Sequence, residues 1–178
     1  DQLMTLALHT GPNPDNWALA RSVGAPIVSH IVGSQFGDLE RMGRLGLMKA
    51  DNEYIHCTQL SDATWKLIAD TGGGVSIAPA IEMQMRHGMP PFQKAIDLGI
   101  KPSLSVDVEC TMTADFFTQM RSMMTMQRMV VNQMVLEQGN FSPPNQWPTP
   151  APTVPKLLNT RDVLRYATVN GARDLRLG

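Results

Sequence analysis

Cysteine is close to absent. The 178 residues hold only Cys57 and Cys110, too few to staple a chain of this length, which excludes a disulfide framework and makes a reducing cytoplasm the expected setting. Long hydrophobic runs are missing too. No stretch approaches the ~20 apolar residues of a membrane helix, and no basic-then-apolar leader opens the chain, so no membrane partner is expected. Charge of either sign is sparse and balanced: fifteen Lys and Arg against sixteen Asp and Glu leave a formal charge of -1, without the basic footprint that nucleic acid or anionic lipid would require. What is present, 43% hydrophobic residues, suits one globular domain over residues 1–178 and excludes extensive disorder. The chain opens on Asp1 and stops at Leu175-Arg176-Leu177-Gly178 with no terminal feature, so part of a longer protein is the expectation.

Short apolar runs alternate with longer amphipathic ones, the pattern of α/β units around a parallel sheet whose buried strands read as continuous hydrophobic runs. Strands are expected at Leu3–Leu8, Ala25–Ser29, Glu53–Ile55, Gly74–Ala78 and Pro102–Val106. Directly after them stand His9, His30, His56, Pro79 and Asp107, separated by 21, 26, 23 and 28 residues, room for one strand, one helix and two short loops. Helices fit between, at Asp15–Val23, Gly37–Leu45, Ser61–Asp70 and Pro91–Leu98. Asp15 and Ser61 serve as N-caps, Gly24, Gly72 and Gly99 as C-terminal glycines, and Ala63, Leu67 and Ile68 as one apolar face. A longer helix is expected from about Thr113 to Gln138. Six of the thirteen prolines then fall between Asn140 and Pro155, so 140–155 reads as an extended surface loop. A last helix follows, capped by Thr160, with Gly171 as its kink or its end.

Parallel βα units in regular succession build an open doubly wound sheet or a closed barrel. Polar residues after several different strands converge on one mouth in the barrel, whereas an open sheet gathers them mainly around one switch point. The barrel is therefore favoured, yet five strands do not close one, because eight are usual. On this reading Val28, Ile77 and Leu104 would face inward without the strands that should cover them.

His30, His56 and Asp107 are the residues to weigh for chemistry. Two imidazoles and a carboxylate at strand ends can hold zinc or another transition metal with an open water position, whereas a hydrogen-bonded core histidine is the plainer reading of each alone. Asp107 ends an apolar run, where an unpaired carboxylate is costly, so a cation or a helix N-terminus should face it. Met83, Met85 and Met89 follow the fourth run and could wall a substrate, with Arg86 and His87 on the same loop. Met120, Met123 and Met124 repeat at helical spacing and read as core filler. Cys57 and Cys110 read as buried inert thiols, pointing away from their neighbours His56 and Asp107.

Tyr54-Ile55-His56-Cys57 followed by Leu60-Ser61-Asp62, then Gly73-Gly74-Val75-Ser76-Ile77-Ala78-Pro79, then Leu104-Ser105-Val106-Asp107, resembles the metal-dependent amidohydrolase superfamily, in its cytosine deaminase-like and chlorohydrolase-like branch. The likeness runs on through Phe116–Arg128 and into Ala167-Thr168-Val169-Asn170-Gly171-Ala172. It implies a partial (β/α)8 barrel, about strands four to eight, without the first strands and the family's small β-sandwich. It also implies one divalent metal ion, zinc ahead of iron or manganese, with His30 and Asp107 as ligands. His56 would contact the bound water or substrate, and Asp107 would accept a proton as well. Two positions depart from the family pattern: the first-strand His-x-His is absent, and the glutamate three residues after the metal-ligating histidine is replaced by Gly33. Glu82 or Glu109 could supply a carboxylate from a neighbouring loop, so the rim expected to bind substrate is Glu82, Met83, His87 and Glu109.

The implied function is hydrolysis of a C–N or related bond in a small cyclic nitrogen compound. A metal-activated hydroxide would attack a trigonal carbon, Asp107 would take the proton and His56 would stabilise the developing charge. The competing expectation is a catalytically incomplete half-barrel that serves as a structural or binding module. In either case the partners expected are a small molecule and either a second copy of the chain or the rest of a longer one.

Overall fold

Five parallel strands pair in the order in which the chain makes them. The computed structural model describes residues 4–109, 114–138 and 153–177. Its elements run β1 (Leu8–His9), α1 (Pro14–Ser22), β2 (Ile27–Val32), α2 (Leu39–Arg44), β3 (Asn52–Thr58), α3 (Asp62–Thr71), β4 (Gly74–Ile77), α4 (Pro79–Gln84), α5 (Phe92–Asp97), β5 (Ser103–Leu104), α6 (Phe116–Glu137), α7 (Thr160–Ala167) and α8 (Val169–Asp174). Such a sequence-ordered parallel sheet needs a crossover between each pair of strands, and helices supply it.

Register sorts the side chains onto two faces. Ile27 pairs with Asn52, Ser29 with Tyr54, Tyr54 with Val75 and Ile77 with Leu104. These residues are buried in one core with Trp17 and Ala20 of α1, Trp65 and Ile68 of α3, Phe92 and Ala95 of α5 and Met123 of α6. The opposite face carries Val28, His30, Glu53, Ile55, Gly74 and Ser76, all of them only partly buried. Ile77 and Leu104 therefore lie on the helix-covered face, not on the inward one with Val28, because they sit one residue out of phase with Ser76 and Ser103. At the amino ends of the strands the open face forms a cavity of about 1120 Å³ whose lining includes Pro26, Val28, Glu53, Gly74 and Asp174.

Several local expectations shift. Residues 4–7 are not strand, and β1 includes His9. β2 and β3 run past their expected ends, so His30 and His56 lie inside strands. Asn13, not Asp15, caps α1, because Pro14 occupies the first helical position and the Asn13 side chain accepts the Asn16 amide. Asn159, not Thr160, caps α7, in a reciprocal box with Asp162. The break in the last helical run falls at Thr168 (φ -135°, ψ -84°), ahead of Gly171. Ser61 caps α3 as expected and Gly72 ends it at φ 74°, but Ala63 is exposed and the buried positions are Thr64, Trp65 and Ile68. On α6 the buried set includes two glutamines, Gln119 and Gln127. Gln127 is satisfied by Gln93, by the Lys156 carbonyl and by the Leu158 amide. Helix α4 has no counterpart among the expected helices. Residues 139–152, most of the proline-rich 140–155 stretch, lie outside the described residues, as do Cys110 and Thr113. No helix among the described residues is long and apolar enough to cross a membrane.

Candidate active site

All four histidines of the chain meet in one cluster at the carboxyl ends of the strands. His9 Nε2 lies 2.7 Å from His30 Nδ1, and the two rings meet edge to face. The His30 ring is 5.3 Å from that of His56, which is in turn 4.8 Å from His87. Asp107 Oδ2 stands 3.5 Å from His56 Nε2.

The sequence folds this way because of a bulge. Strict alternation from Tyr54 would send residue 56 to the helix-covered face. Instead the pairing with β2 skips Cys57, matching Ile31 to His56 and Val32 to Thr58, and His56 and Cys57 adopt left-handed angles of φ 72° and 56°. The extra residue re-aims the imidazole toward His30 and Asp107 and leaves Cys57 fully buried, its thiol pushed up by that burial. Of the six non-glycine residues with positive φ among the described residues, His56, Cys57, Gln59, Arg86 and Asp107 all belong to this end of the sheet. Each such residue costs on the order of 1–3 kcal/mol, and strain of this kind gathers where a site is built.

Burial divides the cluster. His56 is 1% exposed and Glu82, on α4, is 0% exposed. Glu82 Oε1 lies 3.0 Å from His56 Nδ1 and accepts the Ala78 amide at 2.9 Å. Burial pushes the Glu82 carboxyl above its ordinary range, and the bonds from His56 and Ala78 pull it partly back. Burial, with His56 and His9 beside it, holds the His30 imidazole below its ordinary value, and burial followed by His56 does the same to His87. Glu82, expected at the rim, thus sits fully buried against His56. Met83 is exposed on the last turn of α4, Met85 and Met89 are exposed on the loop after it, and His87 is half-buried there, its carbonyl held by the Gln59 side chain at 3.0 Å. Glu109 is exposed and makes no hydrogen bond or ion pair with the cluster among the described residues. His9 was not expected to join the site, although it follows the first apolar run as His30 follows the second. Phe36, whose ring lies 5.9 Å from that of His30, carried no signal.

The donor types of His30 and Asp107 suit zinc, but their number does not. One ring nitrogen of His30 faces His9 and both nitrogens of His56 are engaged. Among the described residues no three His, Cys, Asp or Glu side chains are disposed to hold a metal ion. These residues alone do not make a metal centre.

No family model matches the chain. Among curated proteins it is 26% identical over 168 residues to the 5'-deoxyadenosine deaminase of Methanosarcina mazei, covering 88% of this chain and 34% of that protein. Among solved structures it superposes on an adenosine deaminase from Xanthomonas campestris with bound zinc at a TM-score of 0.73 and 23% identity. That match covers 98% of this chain and 39% of the other. A triazine hydrolase variant gives a TM-score of 0.73 at 14% identity, over 98% and 40% of the two chains. The chain is similar in sequence to the 5'-deoxyadenosine deaminase and shares its fold with the adenosine deaminase and the triazine hydrolase. It spans at most about a third of the length of the curated relatives it matches. Gly33, at φ 51°, packs beside Gln59 and offers no carboxylate at the position where the sequence resemblance implies a glutamate.

Proposed function

We propose that this chain forms the carboxyl-terminal half of a (β/α)8 barrel whose whole hydrolyses a C–N or related bond of a small cyclic nitrogen compound. The observation that carries the proposal is the gathering of four histidines and Asp107 at the carboxyl ends of successive parallel strands, where such barrels hold their active sites. The deaminases and the triazine hydrolase among the relatives favour a ring with an amino or chloro group on a trigonal carbon, such as a 6-aminopurine nucleoside, an aminopyrimidine or a triazine. Asp107 would accept the proton of the attacking water, and His56, 3.5 Å away, would relay it or stabilise the developing charge. His30 and Asp107 would contribute two ligands to a divalent ion, zinc ahead of iron or manganese, once ligands beyond the described residues complete the set. Met83, His87 and Glu109 would meet the substrate at the rim. The sparse cysteine keeps the cytoplasm as the proposed setting.

The test is release of ammonia or chloride from a panel of adenosine-type nucleosides, aminopyrimidines and chlorotriazines. It compares the 178-residue chain with a longer product read from the upstream coding sequence. Turnover is expected only from the longer protein, with Asp107→Asn lowering it by at least about 10²-fold. A longer protein that turns over none of the panel, or an Asp107→Asn variant with full activity, would sink the proposal. The incomplete donor set favours a second reading, a half-barrel that acts only as a structural or binding module. Inactivity of the longer protein would leave that reading standing.

A further inference from the structure

We infer that Glu82 is a positioning residue that decides which nitrogen of His56 carries the proton, holding the ring as the Nδ1–H tautomer with Nε2 turned to Asp107. The inference deepens the proposed function and rests on it only for the use made of His56. Its own basis is the bonding at one oxygen. Glu82 Oε1 meets two nitrogens, the Ala78 amide at 2.9 Å and His56 Nδ1 at 3.0 Å. The amide can only donate. It therefore anchors that oxygen as an acceptor, so the proton shared with His56 rests on Nδ1.

The surroundings leave no substitute for Glu82. His56 is touched by the His30 ring from β2, the His87 ring from the loop after α4 and Asp107 from beyond β5, and among the described residues only Glu82 lies within hydrogen-bond distance of Nδ1. Both side chains are sealed from water, at 2% and 0% exposure, so no solvent molecule competes for the bond. A free neutral imidazole prefers no tautomer strongly. A buried acceptor on one nitrogen selects one, as partners of ligating and catalytic histidines do elsewhere. The consequence is an unprotonated Nε2 facing the site, able to accept a proton beside Asp107. The opposite tautomer would present a donor there.

Nitrogen-15 long-range NMR of the 178-residue chain at about pH 9 reads the tautomer directly. Wild type is expected to show His56 as the Nδ1–H form. Glu82→Gln keeps an amide oxygen on the Ala78 N–H and should preserve the tautomer. Glu82→Leu removes the acceptor and should cut the Nδ1–H excess by about tenfold, the effect of losing one charge-assisted hydrogen bond. A packing role alone would leave the tautomer unmoved in the leucine variant. A wild-type ring protonated on Nε2, or doubly protonated at pH 9, overturns the inference, and so does an unchanged tautomer in Glu82→Leu. Should the leucine variant not fold, the wild-type and glutamine spectra decide by the same criterion. If the substrate panel gives no turnover while the tautomer follows Glu82, the proposed chemistry falls and the positioning stands.

Discussion

A methyl group at residue 73 would stand 2.5 Å from Cε2 of Tyr54 and 3.3 Å from the Asn52 carbonyl. Tyr54 is fully buried and cannot swing away, so Gly73→Ala should destabilise the fold by about 1–3 kcal/mol through overpacking. The check is a urea titration, with a lower midpoint and an unchanged slope expected; an unaltered midpoint would show that the Tyr54 ring can move. The residues of the site were partly legible in the same terms. His30 and Asp107 follow apolar runs, a pattern visible in sequence. The role of Glu82 was not, because nothing in Ile81-Glu82-Met83 indicates that α4 turns its carboxylate beneath His56. Nor does the sequence around Tyr54-Ile55-His56-Cys57 announce a bulge, since it carries no glycine to mark the left-handed angles.

Helix α8 rests on the sheet through an unusual contact. Glu53 of β3 and Asp174 of α8 converge over Gly74, whose missing Cβ leaves room for the Glu53 carboxyl, and Asp174 Oδ1 lies 3.1 Å from that same point. Burial pushes both groups up, Glu53 furthest because Asp174 beside it adds to the effect, while Arg173 draws both back and Ser103 draws back Asp174. Unfolded carboxyls titrate near pH 4. Above that, up to the raised folded values, the native state keeps protons that the unfolded state has lost, so stability falls as pH rises through this window. His30 and His87, both held below their ordinary values, act in the opposite sense below about pH 6.5. The difference between wild type and Glu53→Gln isolates the pair. That variant should gain stability over wild type as pH is raised from 5 to 8, seen in urea midpoints, and a constant difference would refute the account. Elements were easier to read than their edges. Ser61 and Gly72 bound α3 as their chemistry suggests, whereas Asn13 and Asn159 displaced the neighbouring candidates because proline at the first helical position and a partner at Asp162 favour them. Helix α4 escaped notice because Ala78 makes no side-chain cap and the helix has only six residues.

At the scale of the molecule, one face of the sheet is packed and the other is half open. Among the described residues the edge strands β1 and β5 each present an unpaired side, and Val28, His30, Ile55 and Ser76 are only partly covered. Leaving apolar surface wet forgoes about 25 cal/mol per Å², so a few hundred Å² amounts to several kcal/mol against a typical total of 5–15. On the half-barrel reading the purified chain should therefore self-associate at micromolar concentration. Sedimentation is expected to show species heavier than 19.6 kDa, and a strictly monomeric chain with one cooperative, reversible unfolding transition would count against the half-barrel.

The order β1-β2-β3-β4-β5 also bears on how the chain is made. Among the described residues no strand waits for a partner encoded far downstream, because each strand after β1 pairs with the one before it. On a ribosome releasing residues one after another, every βα unit that emerges meets a finished edge on which to dock. Growth can then proceed vectorially from the amino end, with each added strand covering the edge that its predecessor exposed.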